Sequence, residues 1–146
     1  DMKAVDHPVH YNSHPSGIEA IVIVQWMPFN PGNAIKYMWR AGIKEGTTAV
    51  QDLQKAIRYL EFEIERLSMP AAWSEEPAYD KHPSGIEIGQ IKPHMTAWIG
   101  VAFWHVWEAQ MLPALGRVQR YQQAIMCLRS ENARLGGPLK EIGLSR

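Results

Sequence analysis

The sequence predicts an all-α protein in which two tandem three-helix units pack as a pseudo-two-fold helical bundle. Three observations lead to this fold class. One phrase of the sequence recurs 68 residues later, apolar residues are spaced alternately by three and four, and Pro and Gly stand where helices are expected to begin and end.

The repeat is carried by the phrase from His14 to Glu19, which recurs from His82 to Glu87. Without a gap, residues 11–67 (the first copy) align with residues 79–135 (the second copy), and 22 of these 57 positions are identical. Such self-similarity indicates a duplicated structural unit. It predicts a first helical unit with the site residues over 1–67, a linker over 68–79, a degenerate second unit over 80–135 and a C-terminal tail over 136–146.

The first helix of each copy is predicted from a capping signature. In the first copy Ser16 stands where an N-cap is expected, and Glu19 three residues later would complete a capping box. We expect this helix to reach about Met27, because Pro28 cannot continue it.

Two further helices follow in the first copy. The second is expected to start around Asn30–Pro31, with proline near the first helical position, and to end at Gly42. The third is expected from Thr47 or Thr48 to Leu67. Its apolar residues form a packing seam that the second copy repeats, with Asn132 in place of Ile64: Val50, Leu53, Ile57, Leu60, Ile64 and Leu67, then Val118, Tyr121, Ile125, Leu128, Asn132 and Leu135. We expect the two seams to pack on each other.

Composition excludes several classes of function. The formal net charge is zero, which argues against a general nucleic-acid binder. A single cysteine, Cys127, allows no internal disulfide and no cysteine-based metal site. No apolar run is long enough to span a membrane and no secretory signal is visible, so a cytoplasmic location is expected. Neither a P-loop nor a Gly-x-Ser-x-Gly motif occurs.

The two copies keep their packing residues and differ in their polar ones. The second helix of the first copy carries a polar face made of Asn33, Lys36, Tyr37, Arg40 and Lys44. The matching residues of the second copy are Val101, Trp104, His105, Glu108 and Leu112. Asp52, Lys55, His7 and His10 are likewise replaced, by Arg120, Gln123, Glu75 and Ala78. Chemistry is therefore expected in the first copy alone.

The chemical interpretation of this face is a phosphate site. Lys36 and Arg40 stand one helical turn apart and could both contact phosphate oxygens, with Lys44 and Lys55 adding charge. Asn33 could present its amide near a helix start, where backbone N–H groups also favour anions.

Asp52 and the N-terminal histidines have two interpretations each. Asp52 could orient a cation or pair with Lys55 on the helix surface. His7 and His10 could contact a phosphate or a base or move a proton, although ordinary exposed histidines are common near a terminus. The cationic face itself could be simply solvated.

Residues found in both copies are expected to be structural. This applies to His14 and His82, which open the repeated phrase, and to the tryptophans Trp39 and Trp107. No third ligand stands at a recognisable spacing from His7 and His10, so no metal site is predicted.

The first half of the chain resembles the SaV-like family of short bacteriophage proteins, which includes the nucleotide kinase of T7-like phages. The resembling segments are His7–Tyr11, Gly17–Ile21, Gly32–Lys44 and Asp52–Leu60. The resemblance implies a phage protein in the host cytoplasm that transfers phosphate from a nucleoside triphosphate to a deoxynucleoside monophosphate. Members are usually single units, so the degenerate second copy is a departure.

Carried onto this sequence, the resemblance implies catalytic roles for Lys36, Arg40 and Asp52. It implies nucleotide or phosphate contacts for His7, His10, Tyr11, Asn33, Lys44 and Lys55. Nucleotides are the expected partners, together with a second copy of the chain in a homo-oligomer and a host protein as a further option. The cofactor stays open, with Mg²⁺ and a nucleoside triphosphate as the combination that phosphate transfer would use.

Two other functions fit the same residues. A non-catalytic phage protein could sequester a host nucleotide or block a host defence protein through the same cationic pocket. A purely structural interaction module would need no nucleotide at all.

Overall fold

The computed structural model describes residues 14–43, 48–70 and 78–137, and these ranges contain helices and no strands. The prediction of an all-α fold is therefore confirmed for the described residues. The α-helices are α1 Ala20–Val24, α2 Phe29–Arg40, α3 Ala49–Leu67, α4 Ala97–Ala109 and α5 Ala114–Arg134, and two 3₁₀ turns lie at Ile88–Gln90 and Lys92–His94.

The two long helices, α3 and α5, pack on each other at the centre of the protein, while α2 covers α3 and α4 covers α5. The predicted contact between the two seams is thus present, with Leu53, Leu60 and Leu128 fully buried. The chain just after α5 lies beside the start of α3. A Cβ added to Gly137 would be only 3.1 Å from Val50 Cγ1.

The third helix begins where the sequence places it. Thr48 is its N-cap: the Thr48 hydroxyl accepts from Gln51 N–H at 3.1 Å, and the Gln51 side chain accepts from Thr48 N–H at 3.1 Å. This reciprocal capping box satisfies two backbone donors that the first helical turn leaves unpaired. The helix ends at Leu67, as predicted.

The first helix is shorter than predicted and is capped differently. The Ser16 hydroxyl accepts from Ile18 N–H at 3.2 Å inside a turn, and α1 starts only at Ala20, with no side-chain cap bond from Glu19. The predicted capping box at Ser16 is therefore wrong. The turn needs Gly17, whose φ of 75° is costly for a residue with a Cβ.

In the second copy the first helix is absent, and the two 3₁₀ turns take its place. Gly89 and Pro93 explain this difference, because glycine is entropically costly in a helix and proline lacks the N–H that the helix needs. The prediction of three α-helices per unit is wrong here. Ile91 still fills the position of Ile23, and both are fully buried.

The repeated phrase forms the same small motif twice. His14 Nδ1 lies 2.8 Å from the Ser16 hydroxyl, and its ring packs on Trp39 with centroids 4.6 Å apart. His82 stacks on Trp107 at 4.4 Å. Burial lowers the pKa of His14 to about 4, with the charge of His94 acting in the same direction. The expected structural role of both histidines and both tryptophans is confirmed.

None of the helices in the described ranges has the length and apolar content needed to cross a membrane.

Candidate functional site

The site predicted from the sequence lies where α2 packs against α3. Arg40 at the end of α2 is 6% exposed and Asp52 in the first turn of α3 is 0% exposed, and Arg40 Nε donates to Asp52 Oδ1 at 3.2 Å. Asp52 is also favourably placed as an acidic residue near a helix N-terminus. A buried ion pair of this kind links the two helices.

Three cationic side chains gather around one aromatic ring beside this pair. Lys36 Nζ lies 5.3 Å, Arg40 Cζ 4.7 Å and Lys55 Nζ 5.4 Å from the centroid of the Tyr37 ring. We call these residues, Lys36, Tyr37, Arg40 and Lys55, the Tyr37 cluster. The helical spacing of three and four on α2 brings the first three together, and α3 supplies the fourth.

The charges of the Tyr37 cluster favour an anion. Like charges this close repel each other, and the negative face of the Tyr37 ring offsets only part of that repulsion. Arg40 is buried and bonded to Asp52, whereas Lys36 is half-buried and Lys55 is exposed. An anionic ligand from solvent would therefore meet Lys36 and Lys55 first.

A run of aromatic residues extends the Tyr37 cluster, and sequence reasoning missed it. Tyr37 stacks on Tyr59 with centroids 5.8 Å apart, and Tyr59 contacts Phe29 at 6.0 Å and Phe62 at 5.8 Å. Phe29 is 73% exposed and Phe62 is exposed too, so aromatic ring surface faces solvent here. The signal was available in the repeat, because the second copy has Ala97, Cys127 and Ser130 where the first has Phe29, Tyr59 and Phe62.

Two expectations for this site need correction. Asp52 is not a surface acid beside Lys55, because it is fully buried and pairs with Arg40 across the helices. Asn33 does lie near the start of α2, which begins at Phe29, but its amide donates to the Phe29 carbonyl at 2.8 Å and is not presented to an anion. Its donor is thus used within its own helix.

The other site residues proposed from the sequence are His7, His10, Tyr11 and Lys44. All four lie outside the described residues. The structure therefore brings together Lys36, Arg40, Asp52 and Lys55 from the predicted set. It places Tyr37 of the predicted polar face at their centre, and it adds Tyr59.

The matching surface of the second copy is built differently. Arg120 Nη1 lies 3.1 Å from His105 Nδ1, and the Arg120 guanidinium lies 4.7 Å from the Trp104 ring centroid. Burial and the charge of Arg120 both lower the pKa of His105. A neutral imidazole thus occupies the position of Tyr37, and a tryptophan occupies that of Lys36.

Across 14–43, 48–70 and 78–137, no three His, Cys, Asp or Glu side chains stand close enough together to hold a metal ion.

Residues 5–61 match a protein family described as a protein of unknown function (DUF3310). The matched range contains the Tyr37 cluster, Asp52 and Tyr59. No curated protein and no solved structure matches the chain.

Proposed function

We propose that this protein binds nucleotides, with phosphate groups held by Lys36 and Lys55 at the outer edge of the Tyr37 cluster. The observation that carries the proposal is the gathering of three cations within 5.4 Å of one ring centroid. Phosphate oxygens neutralise such a concentration of charge, and lysine is a common point-charge ligand for them.

The aromatic run next to these lysines supports a nucleotide rather than free phosphate. Tyr59 is half-buried and contacts the exposed ring of Phe29, so apolar ring surface lies beside cationic surface. A nucleotide has the same two parts, a flat base and a charged phosphate chain. Stacking of a base on an aromatic side chain contributes roughly 1–3 kcal/mol.

The most specific form of the proposal is a deoxynucleoside monophosphate kinase, which rests on the resemblance to the SaV-like family. Phosphoryl transfer needs mainly positioning and charge neutralisation, which Lys36 and Lys55 would supply. Arg40, which is buried beside these lysines, would add positive charge to the site. Asp52 would be a positioning residue that holds the Arg40 guanidinium. His7, His10, Tyr11 and Lys44 stay candidates for contacts to the nucleotide.

The alternative is a protein that binds a nucleotide and returns it unchanged, as a phage protein that sequesters a host signal would. The observation that favours it is the burial of both Arg40 and Asp52, which are bonded to each other. Both side chains are almost wholly removed from solvent, so the exposed part of the site offers charge for binding more than groups for chemistry.

The test is a nucleotide panel read by chromatography, with ATP and several dNTPs as donors and dNMPs as acceptors. We would compare wild type with Lys36→Ala/Lys55→Ala, because these lysines are not buried and their loss should leave the fold intact. Lys81→Ala, an exposed lysine of the second copy, is the matched control.

Phosphate transfer that is lost in the double variant and kept in the control would establish the kinase. Saturable binding with the nucleotide unchanged would favour sequestration. Neither binding nor transfer by the wild type would contradict the whole proposal and favour an interaction module.

We also propose that the two copies are related by a pseudo-two-fold axis that runs between α3 and α5. This is supported by the packing of these two helices on each other and by the equivalent His14–Trp39 and His82–Trp107 contacts. A crystal structure would test it, since superposition of residues 11–67 on 79–135 should require a rotation close to a half-turn. Light scattering would test the expected homo-oligomer.

A further inference from the structure

The aromatic run beside the Tyr37 cluster has two exposed ends. Phe29 is 73% exposed and Phe62 is 39% exposed. Both rings contact Tyr59, with centroids 6.0 and 5.8 Å away and interplanar angles of 67° and 79°. Neither ring is stacked face to face on Tyr59, so the run offers solvent two separate ring surfaces, one at Phe29 and one at Phe62.

Positive charge lies along this run as well as at the Tyr37 cluster. The Arg58 guanidinium lies over the Phe62 ring, with Cζ 4.2 Å from the ring centroid, and the Arg58 side chain is 37% exposed. Arg58 Nη1 donates to Glu61 at 3.1 Å, but a guanidinium carries several N–H donors and one such bond does not use them all. The surface therefore has cations at two places, with the ring of Tyr59 between them.

A mononucleotide would occupy only part of this surface. Its phosphate would use the lysines of the Tyr37 cluster and its single base would use one ring, which leaves the second exposed ring and Arg58 without a ligand group. Proteins that bind single-stranded nucleic acid combine aromatic rings, on which successive bases stack, with cations that follow the phosphate backbone. The second copy lacks these groups, since the residues that match Phe29, Arg58, Tyr59 and Phe62 are Ala97, Met126, Cys127 and Ser130.

We propose that the Tyr37 cluster and the aromatic run together bind a short single-stranded oligonucleotide, with one base on Phe29 and a further base on Phe62. The proposal rests on the proposed phosphate site, because Lys36 and Lys55 would hold one phosphate while Arg58 contacts another along the strand. A duplex would present only its phosphates here, because its bases are stacked inside. The zero net charge of the whole chain concerns general binding, whereas a short strand needs only the local charge of this face.

The experiment compares three unlabelled ligands by isothermal titration calorimetry. They are thymidine 5′-monophosphate, the 5′-phosphorylated thymidine tetranucleotide, and a tetranucleotide of the same charge whose sugars carry no bases. We expect the thymidine tetranucleotide to bind about tenfold more tightly than either of the others, because each stacked base contributes roughly fivefold or more in affinity. A uridine tetranucleotide run in parallel tests RNA, and such tight binding of either tetranucleotide supports the proposal.

Phe62→Ser separates the second base from the first. It installs the residue that the second copy has at this position, Ser130. We expect affinity for the tetranucleotide to fall about fivefold or more, and affinity for the monophosphate to stay the same because its base lies at Phe29. Leu115→Ala is the matched control, since Leu115 is 74% exposed and lies on α5, and it should leave both affinities unchanged.

Arg58→Gln is a second variant that tests the same end of the surface. The glutamine amide can still donate to Glu61, but the positive charge is lost. Affinity for the tetranucleotide should again fall while affinity for the monophosphate stays the same. Wild-type affinity for the tetranucleotide in both folded variants would overturn the assignment of a base to Phe62.

The three ligands also distinguish this proposal from the proposed function. Equal affinity for the tetranucleotides with and without bases would overturn the inference, since charge alone would then account for binding. A tetranucleotide that binds no more tightly than the monophosphate would overturn it as well and leave the mononucleotide site in place. Binding of the tetranucleotide alone would support it and count against a mononucleotide as the ligand. No binding of any of these ligands would overturn both proposals.

Discussion

The α2–α3 surface of the first copy and the α4–α5 surface of the second are built on equivalent pairs of helices but carry different charged residues. Arg40 and Asp52 form a buried ion pair, and the residues at their positions in the second copy are Glu108 and Arg120, with the charges exchanged. Arg120 instead contacts His105 and Trp104. The packing residues are thus alike in the two copies, whereas the polar residues on this surface differ.

The largest expected effect comes from breaking the buried pair of the first copy. Asp52→Ala leaves the Arg40 guanidinium buried without that carboxylate, and removal of one partner of such a pair costs roughly 3–5 kcal/mol. Urea denaturation should show this loss in the free energy of unfolding.

The second copy supplies the matched control. Glu108 stands at the position of Arg40 but is only half-buried, so Glu108→Ala should lower the free energy of unfolding by about 1 kcal/mol or less. Equal losses for the two variants would contradict the difference between the copies.

The elements that the sequence predicted correctly are those whose residues recur in both copies or match a known local signature. The Thr48 cap, the end of α3 at Leu67 and the buried tryptophans follow from local patterns that occur twice or match a known capping signature. At Ser16 a capping signature misled, because the hydroxyl bonds two residues ahead inside a turn. The spacing of apolar residues does not predict a competing local hydrogen bond of this kind.

The candidate site was only partly predictable. The spacing on α2 correctly grouped Lys36, Tyr37 and Arg40, because residues three and four apart share a helical face. The pairing of Arg40 with Asp52 and the stacking on Tyr59 depend on how α2 lies against α3. Such contacts between helices are set by tertiary packing, which periodicity within one helix does not specify.

The histidines shared by both copies should make stability depend on pH. The pKa of His14 is lowered from 6.5 to about 4 by burial, and that of His82 is lowered by burial too. Between pH 6.5 and pH 4 the unfolded chain binds more protons than the folded protein does. The contribution of these histidines to stability is therefore fully present above pH 6.5 and falls as the pH drops toward 4. We expect His14 to account for a loss of up to about 3 kcal/mol, measured by urea denaturation at each pH.

A variant at the same position isolates this effect. His14→Asn keeps a side-chain acceptor for the Ser16 backbone N–H but does not titrate in this range. Its stability should change less between pH 7 and pH 4 than that of wild type. An unchanged slope would show that other groups cause the pH dependence.

The Tyr37 cluster should respond to anions, whereas the second copy should not. Tripolyphosphate binds the folded protein if Lys36 and Lys55 hold phosphate, and a ligand at 100 times its Kd stabilises by about 2.7 kcal/mol. Thermal unfolding should therefore shift upward in wild type and not in Lys36→Ala/Lys55→Ala. A shift that the Lys81→Ala control loses as well would point to general charge effects instead.

The smallest expected effect on stability is at the exposed aromatic run, where function and folding can be separated. Phe29→Ala installs the residue that the second copy has at this position, and a side chain that is already 73% exposed loses little burial. The free energy of unfolding should change by about 0.5 kcal/mol or less, as for most surface substitutions. If a base stacks beside Tyr59, nucleotide affinity should nevertheless fall severalfold while tripolyphosphate affinity stays the same. Equal losses for both ligands would mean that Phe29 supports the cluster itself rather than a base.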